Sequence, residues 1–106
     1  MGNYRGRLDI IADILSVASR NPKKTQIMYQ ANLSYKVLQR YLAEIVGSSL
    51  IGYEDDKQCY KLTDKGREFL EAYQKYSKTN KHVEKRLNDV ASKKQVLLDL
   101  CPGSMP

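Results

Sequence analysis

Basic and polar side chains recur between residues 23 and 61, in types that suit contacts to a polyanion. Lysine and arginine donate hydrogen bonds to phosphate oxygens, and glutamine and arginine also match the major-groove edges of adenine and guanine. The candidate DNA contacts are Lys23, Lys24, Thr25, Ser34, Tyr35, Lys36, Gln39, Arg40, Lys57, Gln58 and Lys61. The same side chains could instead be ordinary solvated surface residues, so the elements that carry them matter.

The overall charge favours a polyanionic partner. The 106 residues include 18 Lys and Arg against 12 Asp and Glu, a formal net charge of +6. Nucleic acid is the first partner that such an excess indicates, with an anionic membrane surface or an acidic protein behind it. No apolar run approaches the roughly 20 residues that span a bilayer, and the first residues lack the apolar region of a signal peptide. We therefore predict a cytoplasmic protein with no membrane partner, which would be nucleoid-associated if its polyanionic partner is chromosomal DNA.

The reactive side chains form no catalytic or metal-binding pattern. His82 is the single histidine, and Asp55 and Asp56 lie together in a polar turn with no candidate acid opposite. Cys59 and Cys101 are isolated, without the paired spacing of a zinc site or of a secreted disulfide framework. No glycine-rich phosphate loop is present. We therefore expect no catalytic residue, no metal, no cofactor and no small-molecule substrate.

Two short helices are predicted first. Residues 7–19 place Leu8, Ile11, Leu15 and Ala18 on one apolar face. Asn21 tolerates a left-handed helix end and Pro22 cannot continue the turn, so the first helix stops there. Residues 25–31 are too short for an independent helix but suit a second, packed one, which Asn32 ends.

A third helix, over residues 35–47, carries most of the candidate contacts. Ser34 can accept backbone hydrogen bonds as the N-cap of this helix. Leu33 and Leu38 can pack against each other across the start of the helix as a hydrophobic staple. Its predicted buried face comprises Leu38, Tyr41, Leu42 and Ile45. Its opposite face comprises Lys36, Gln39, Arg40 and Ala43. We also expect Tyr53 to pack in the core, whereas Tyr35 is open between packing and base stacking.

A hairpin and a long helix complete the predicted fold. Residues 51–62 alternate in polarity on either side of a polar turn, which predicts a β-hairpin. Thr63 then caps a helix from Asp64 to about Leu100, roughly 50 Å long. Three helices followed by a hairpin define a winged helix-turn-helix in a mainly α (α+β) chain. We expect residues 1–62 to form the DNA-binding domain, 63–101 the dimerisation helix and 102–106 a flexible tail.

Two stretches resemble a known family. Residues 24–35 (KTQIMYQANLSY), followed by Tyr41-Leu42, resemble the helix-turn-helix core of archaeal small winged-helix DNA-binding proteins. Residues 60–70 (YKLTDKGREFL) resemble their junction between the wing and the last helix. The terminal heptads are similar to the subgroup that dimerises through an antiparallel coiled coil and is chromatin-associated. The acidic wing tip, residues 54–56, departs from that pattern because carboxylates repel phosphate.

The last helix also carries a heptad seam. Its members recur at alternating steps of four and three: Phe69, Tyr73, Tyr76, Asn80, Val83, Leu87, Val90, Lys94, Leu97 and Cys101. Such a stripe indicates a partner helix, most simply from a second copy. A parallel pair sets Lys94 against its own copy, whereas one antiparallel register pairs Lys94 with Tyr76 and Val83 with Leu87. The alternative is a last helix folded back on its own domain.

Three functions are compatible with these features. The first is a homodimer that binds double-stranded DNA through the recognition helix, residues 34–47, and the wing, residues 51–62, as an architectural chromatin protein. The second is a sequence-specific transcriptional regulator of the same fold. The third is a protein–protein interaction module whose wing and coiled coil bind protein.

Overall fold

The computed structural model describes residues 5–103. Its elements are α1 (Arg7–Ala18), α2 (Lys24–Gln30), α3 (Tyr35–Gly47), β1 (Ile51–Glu54), β2 (Cys59–Leu62) and α4 (Asp64–Leu100). The predicted mainly α fold, with three helices, a hairpin and a long last helix, is confirmed. The chain forms two compact units, one extending to Tyr73 and one beginning at Gln74. The functional division at residue 62 stays a prediction, and most of the predicted flexible tail, residues 104–106, lies outside the described residues.

One apolar cluster holds the first unit together. It joins Ile14 and Leu15 of α1 to Ile27 of α2, Leu38 of α3 and Ile51 of β1, all essentially inaccessible to solvent. Leu8 belongs to the predicted apolar face of α1 but is 42% exposed. Leu8 sits in the first turn of α1 and lies past the end of this cluster, although it shares a helical face with Ile11.

The predicted helix ends are confirmed by the backbone. Asn21 and Asn32 adopt left-handed conformations, with φ of 53° and 56°, at the ends of the first two helices. Ser34 caps α3, because its hydroxyl oxygen accepts a hydrogen bond from the backbone N–H of Val37 at 3.3 Å. Leu33 packs partly buried against the core. These short-range signals fix where α3 begins, and hence which of its side chains lie in its first two turns.

The hairpin is antiparallel, with Ile51 opposite Leu62 and Tyr53 opposite Tyr60. The backbone N–H of Tyr60 also donates to the carbonyl oxygen of Pro22 at 2.8 Å, which ties the hairpin to the α1–α2 loop. The expectation of a core position for Tyr53 is wrong, since its side chain is 49% exposed. Tyr53 shares a strand face with buried Ile51 but lies nearer the turn, where its ring packs at a tilt against that of Tyr60, with the ring centroids 5.0 Å apart.

The junction between the hairpin and α4 depends on Thr63 and Gly66. The Thr63 hydroxyl oxygen accepts a hydrogen bond from the Gly66 backbone N–H at 3.0 Å, which confirms the predicted cap. The single hydrogen of the same hydroxyl is shared between the backbone carbonyl oxygens of Ser49 and Leu50, which lie 2.7 and 2.9 Å from the Thr63 oxygen. Gly66 is buried against this chain segment. The first turn of α4 is therefore held directly on the chain that enters β1.

A second tie joins α1 to α4 within the first unit. The Tyr73 hydroxyl donates a short hydrogen bond to the Asp9 carboxylate, which also accepts from the Gly6 backbone N–H at 2.9 Å. The Tyr73 bond, then the Gly6 bond, lower the pKa of Asp9 below its usual value against the opposing effect of burial, and the charge of Arg5 adds to the lowering. Asp9 therefore favours folding in its ionised form.

Tyr73→Phe is expected to lower the free energy of unfolding by about 1 kcal/mol at neutral pH, because a hydrogen bond to a carboxylate is lost. Since the folded-state pKa of Asp9 is depressed, this stabilisation is present above the unfolded-state pKa and is lost as the pH falls through the folded-state value. Urea unfolding from neutral pH towards about pH 2 measures the difference, with exposed Tyr29→Phe as the control. A deficit of Tyr73→Phe that stays constant down to the lowest pH would contradict this role.

Candidate nucleic-acid interface

Helix α3 separates an anchored face from a polar face. Leu38, Leu42 and Ile45 are buried in the core of the first unit. Lys36, Gln39, Arg40 and Ala43 are exposed, as the sequence predicted. Because the buried residues fix the rotation of the helix about its axis, the polar side chains in its first two turns all point away from the core.

The cations of this face are not neutralised by the protein. Across residues 5–103, no carboxylate lies within ion-pairing distance of Lys36 or Arg40. The Arg40 guanidinium carbon lies 5.7 Å from the centroid of the Tyr41 ring, a cation–π contact that restricts where the side chain points. Both positive charges are therefore available to an external anion.

The start of α2 meets the start of α3. The Lys24 ammonium lies 4.5 Å from the centroid of the Tyr35 ring and donates to the Tyr35 hydroxyl oxygen at 3.3 Å. Lys23 and Thr25 flank Lys24 and are exposed. The structure thus brings one α2 candidate, Lys24, to Tyr35. The Tyr35 ring is exposed rather than packed in the core.

A shallow depression lies on the exposed side of α3. Its lining consists of Tyr35, Lys36, Val37, Gln39 and Arg40. Four of these were candidates from the sequence, and Val37 was missed, because an isolated valine in a helix carries no signal of its own. The depression therefore sets apolar surface from Tyr35 and Val37 beside two unpaired cations and an amide.

The wing contributes less positive charge than its lysines indicate. Lys61 forms an ion pair with Glu54, with the ammonium nitrogen 3.0 Å from a carboxylate oxygen. The hydrogen bond from Lys61, reinforced by its charge, lowers the pKa of Glu54, which stays ionised. Lys57 and Gln58 are exposed in the turn beside Asp55 and Asp56. Within the described residues, no hydrogen bond or ion pair joins the wing candidates to those of α3.

The seam residues of α4 fall into two groups. Phe69 packs partly buried against the core of the first unit, and Tyr73 is bonded to Asp9. Further along the helix Val83, Leu87, Val90 and Leu97 are all exposed. The first group already has contacts within its own chain, whereas these four present apolar surface on the second unit.

Other chemistry finds no support among the described residues. In that part of the chain no His, Cys, Asp and Glu side chains gather in a group that could hold a metal ion. Cys59 is a buried free thiol and Cys101 an exposed one. None of the helices between residues 5 and 103 combines the length and the apolar character needed to cross a bilayer.

A three-helix domain with a capped, outward-facing third helix and a β-hairpin is a winged helix-turn-helix domain, a fold of DNA-binding proteins. The chain belongs to the winged helix-turn-helix family, whose model matches residues 4–81. A relative in Methanocaldococcus jannaschii, an uncharacterized protein, is 38% identical over 68 residues. That match spans 63% of this chain but only 31% of the relative, so the chain spans about a third of its length.

Two solved structures share the fold. Sso10a-2, a DNA-binding protein from Sulfolobus solfataricus, superposes with a TM-score of 0.77 and covers 83% of this chain and 95% of its own, at 23% identity. The transcriptional repressor CouR, bound to p-coumaroyl-CoA, superposes with a TM-score of 0.62 over 96% of this chain and 76% of its own, at 19% identity. The predicted resemblance to archaeal winged-helix DNA-binding proteins is confirmed at the level of family and fold.

Proposed function

We propose that this protein binds double-stranded DNA as a homodimer and shapes the chromosome in the cytoplasmic nucleoid. The observation that carries the proposal is the exposed face of α3, where Lys36 and Arg40 lack carboxylate partners while the opposite face is locked in the core. The first two turns of a recognition helix are the part that reaches base edges in the major groove. The proposed role is binding, with no catalytic step and no cofactor.

Each group of candidates has a distinct role in this proposal. Lys36 and Arg40 neutralise phosphate or address guanine, and Gln39 matches the donor and acceptor pattern of adenine. Ser34 and the start of α3 approach a phosphate, as do Lys23, Lys24 and Thr25 at the start of α2. The wing residues Lys57, Gln58 and Lys61 add weaker backbone contacts. The wing is weaker because Glu54 holds Lys61 and two further carboxylates lie beside Lys57.

The dimer is proposed from the seam of α4. Val83, Leu87, Val90 and Leu97 are exposed at heptad spacing, and burial of such a stripe against a second helix is favourable. An antiparallel pair avoids the meeting of two Lys94 side chains. It also places one winged domain at either end of the paired segment. This arrangement suits contacts to separate stretches of DNA better than contacts to the two halves of a compact palindrome.

A sequence-specific regulator is the second candidate, favoured by the shared fold of the repressor CouR and by the side chains on α3 whose types can read bases. The two candidates differ in the ratio of the affinity for a specific duplex to the affinity for random duplexes. Competition between random duplexes and duplexes selected for binding measures that ratio. A preference above about a thousandfold favours the regulator, and a small one favours the architectural role.

Salt dependence tests DNA binding itself. For two to four phosphate contacts per domain, the logarithm of affinity is expected to fall with the logarithm of salt at a slope between about −2 and −4. Fluorescence anisotropy with a labelled duplex over a salt series gives the slope. No binding at low salt, or an affinity that ignores salt, would favour the interaction module instead.

Sedimentation tests the dimer. At tens of micromolar the protein is expected to sediment as a dimer, and Leu87→Asp to sediment as a monomer because it sets a charge in the seam. Lys78→Asp changes a residue on the outer side of the same helix and serves as the control. A wild-type monomer with an intact α4 by circular dichroism would rule out the dimer and leave the folded-back alternative.

A further inference from the structure

The depression on α3 differs from a plain phosphate-binding surface. Phosphate contacts need only cations and other hydrogen-bond donors, yet the lining of the depression is mainly apolar, with Tyr35 at one edge and Val37 at the other. Tyr35 is 59% exposed and lies one helical turn before Gln39, on the same side of α3. An exposed ring beside an amide, with two cations next to them, fits a ligand that is itself apolar at one point and anionic around it.

The Tyr35 ring has a contact that restricts where it points. The Lys24 ammonium, from α2, lies 4.5 Å from the ring centroid and 3.3 Å from the hydroxyl oxygen. This contact favours the ring position seen here before a ligand binds, which reduces the side-chain entropy lost on binding.

In the major groove one base carries an apolar group at its edge. Thymine exposes its 5-methyl group there, surrounded by hydrogen-bonding edges and flanked by phosphates, and apolar side chains are its usual contacts. Gln39, one helical turn after Tyr35, matches the adenine of an A·T pair, while Lys36 and Arg40 match the phosphates. The types of the lining residues thus agree with a thymine edge and its surroundings.

We propose that this depression binds the 5-methyl group of thymine, with Tyr35 as the specificity-determining contact. The inference rests on the proposed DNA binding through α3 and deepens it, because it names the group that is read. It is compatible with broad chromosome coverage, since a single methyl contact gives a modest preference for A·T-containing stretches rather than one operator.

Uracil substitution tests the proposal because uracil differs from thymine by that methyl group alone. A duplex of mixed A·T sequence and the same duplex with uracil for every thymine are titrated at equal salt. We expect about fourfold weaker binding to the uracil duplex, the effect of one buried methyl group. Tyr35→Ala is expected to reduce this ratio to near one while the salt slope stays unchanged. Tyr29→Ala removes a tyrosine that is 79% exposed on α2 and outside the depression, and should keep the ratio.

The outcomes separate this inference from the proposed function. Equal affinity of the wild type for thymine and uracil duplexes, with a normal salt slope, would overturn methyl reading and leave DNA binding intact. A ratio that persists in Tyr35→Ala would overturn the assignment to this depression. Failure of both duplexes to bind at low salt would remove the DNA-binding proposal itself, and this inference with it.

Discussion

Replacing Lys36 and Arg40 together by alanine is expected to weaken duplex binding by about two orders of magnitude or more at moderate salt. Each side chain supplies a phosphate or guanine contact of roughly 1–3 kcal/mol. The slope of affinity against salt should also become shallower by about two for each domain that contacts DNA. Both side chains are exposed and lack ion-pair partners in the described part of the chain, so the fold should be unaffected.

The matched control removes the same charge elsewhere. Lys78→Ala/Lys85→Ala deletes two exposed lysines of α4 that lie outside the heptad seam, so net charge falls equally while α3 stays intact. Anisotropy titrations of both double variants over one salt series give affinity and slope together. An equal loss in the two variants would mean that net charge, and not α3, drives binding. If Lys36→Ala/Arg40→Ala leaves the affinity for the duplex unchanged, α3 is not part of the DNA-binding interface.

Gly66→Ala is expected to destabilise the winged domain by about 3 kcal/mol, among the largest effects of a single methyl group. A Cβ atom at residue 66 would overlap the backbone carbonyl oxygen of Leu50 and approach a methyl carbon of Leu62 at 2.6 Å. The backbone of Leu50 cannot move freely, because its carbonyl oxygen also accepts hydrogen bonds from Thr63. Alanine's higher helix propensity, about 1 kcal/mol, does not offset the clash.

Gly47→Ala is the control for that substitution. Nothing lies within 4 Å of a Cβ atom at residue 47, at the end of α3, so this variant should be neutral or slightly stabilised. Thermal unfolding followed by circular dichroism compares the two, with a drop of more than about 10 °C expected for Gly66→Ala alone. A Gly66→Ala variant as stable as Gly47→Ala would mean that Leu50 and α4 pack less closely than the structure has them.

The order and ends of the elements could be predicted because their signals are local. Ser34 and Thr63 cap the helices that follow them, and Asn21 and Asn32 adopt the left-handed conformation that ends a helix. The spacing of Leu38, Leu42 and Ile45 also fixed the exposed face of α3. These features depend on neighbours within about one helical turn, which a sequence displays directly.

Contacts between distant residues could not be predicted. Asp9 and Tyr73 are 64 positions apart, so nothing local indicated that a seam residue is bonded within its own domain. The pairing of Lys61 with Glu54 depends on the geometry of the hairpin, and it reduces the positive charge of the wing. Tyr53 was wrongly expected in the core, and Leu8 is exposed on an apolar face, because periodicity gives the face of an element and not the extent of the core beneath it.

Mapping amide resonances during titration with a duplex of about 20 base pairs tests α3 as the DNA-binding surface most directly. We predict that the largest shifts fall on residues 34–40, with smaller ones at Lys23, Lys24 and Thr25, and that the outer face of α4 is unaffected. Shifts confined to α4, or an unchanged α3 in a sample where the duplex is bound, would contradict DNA recognition by this helix.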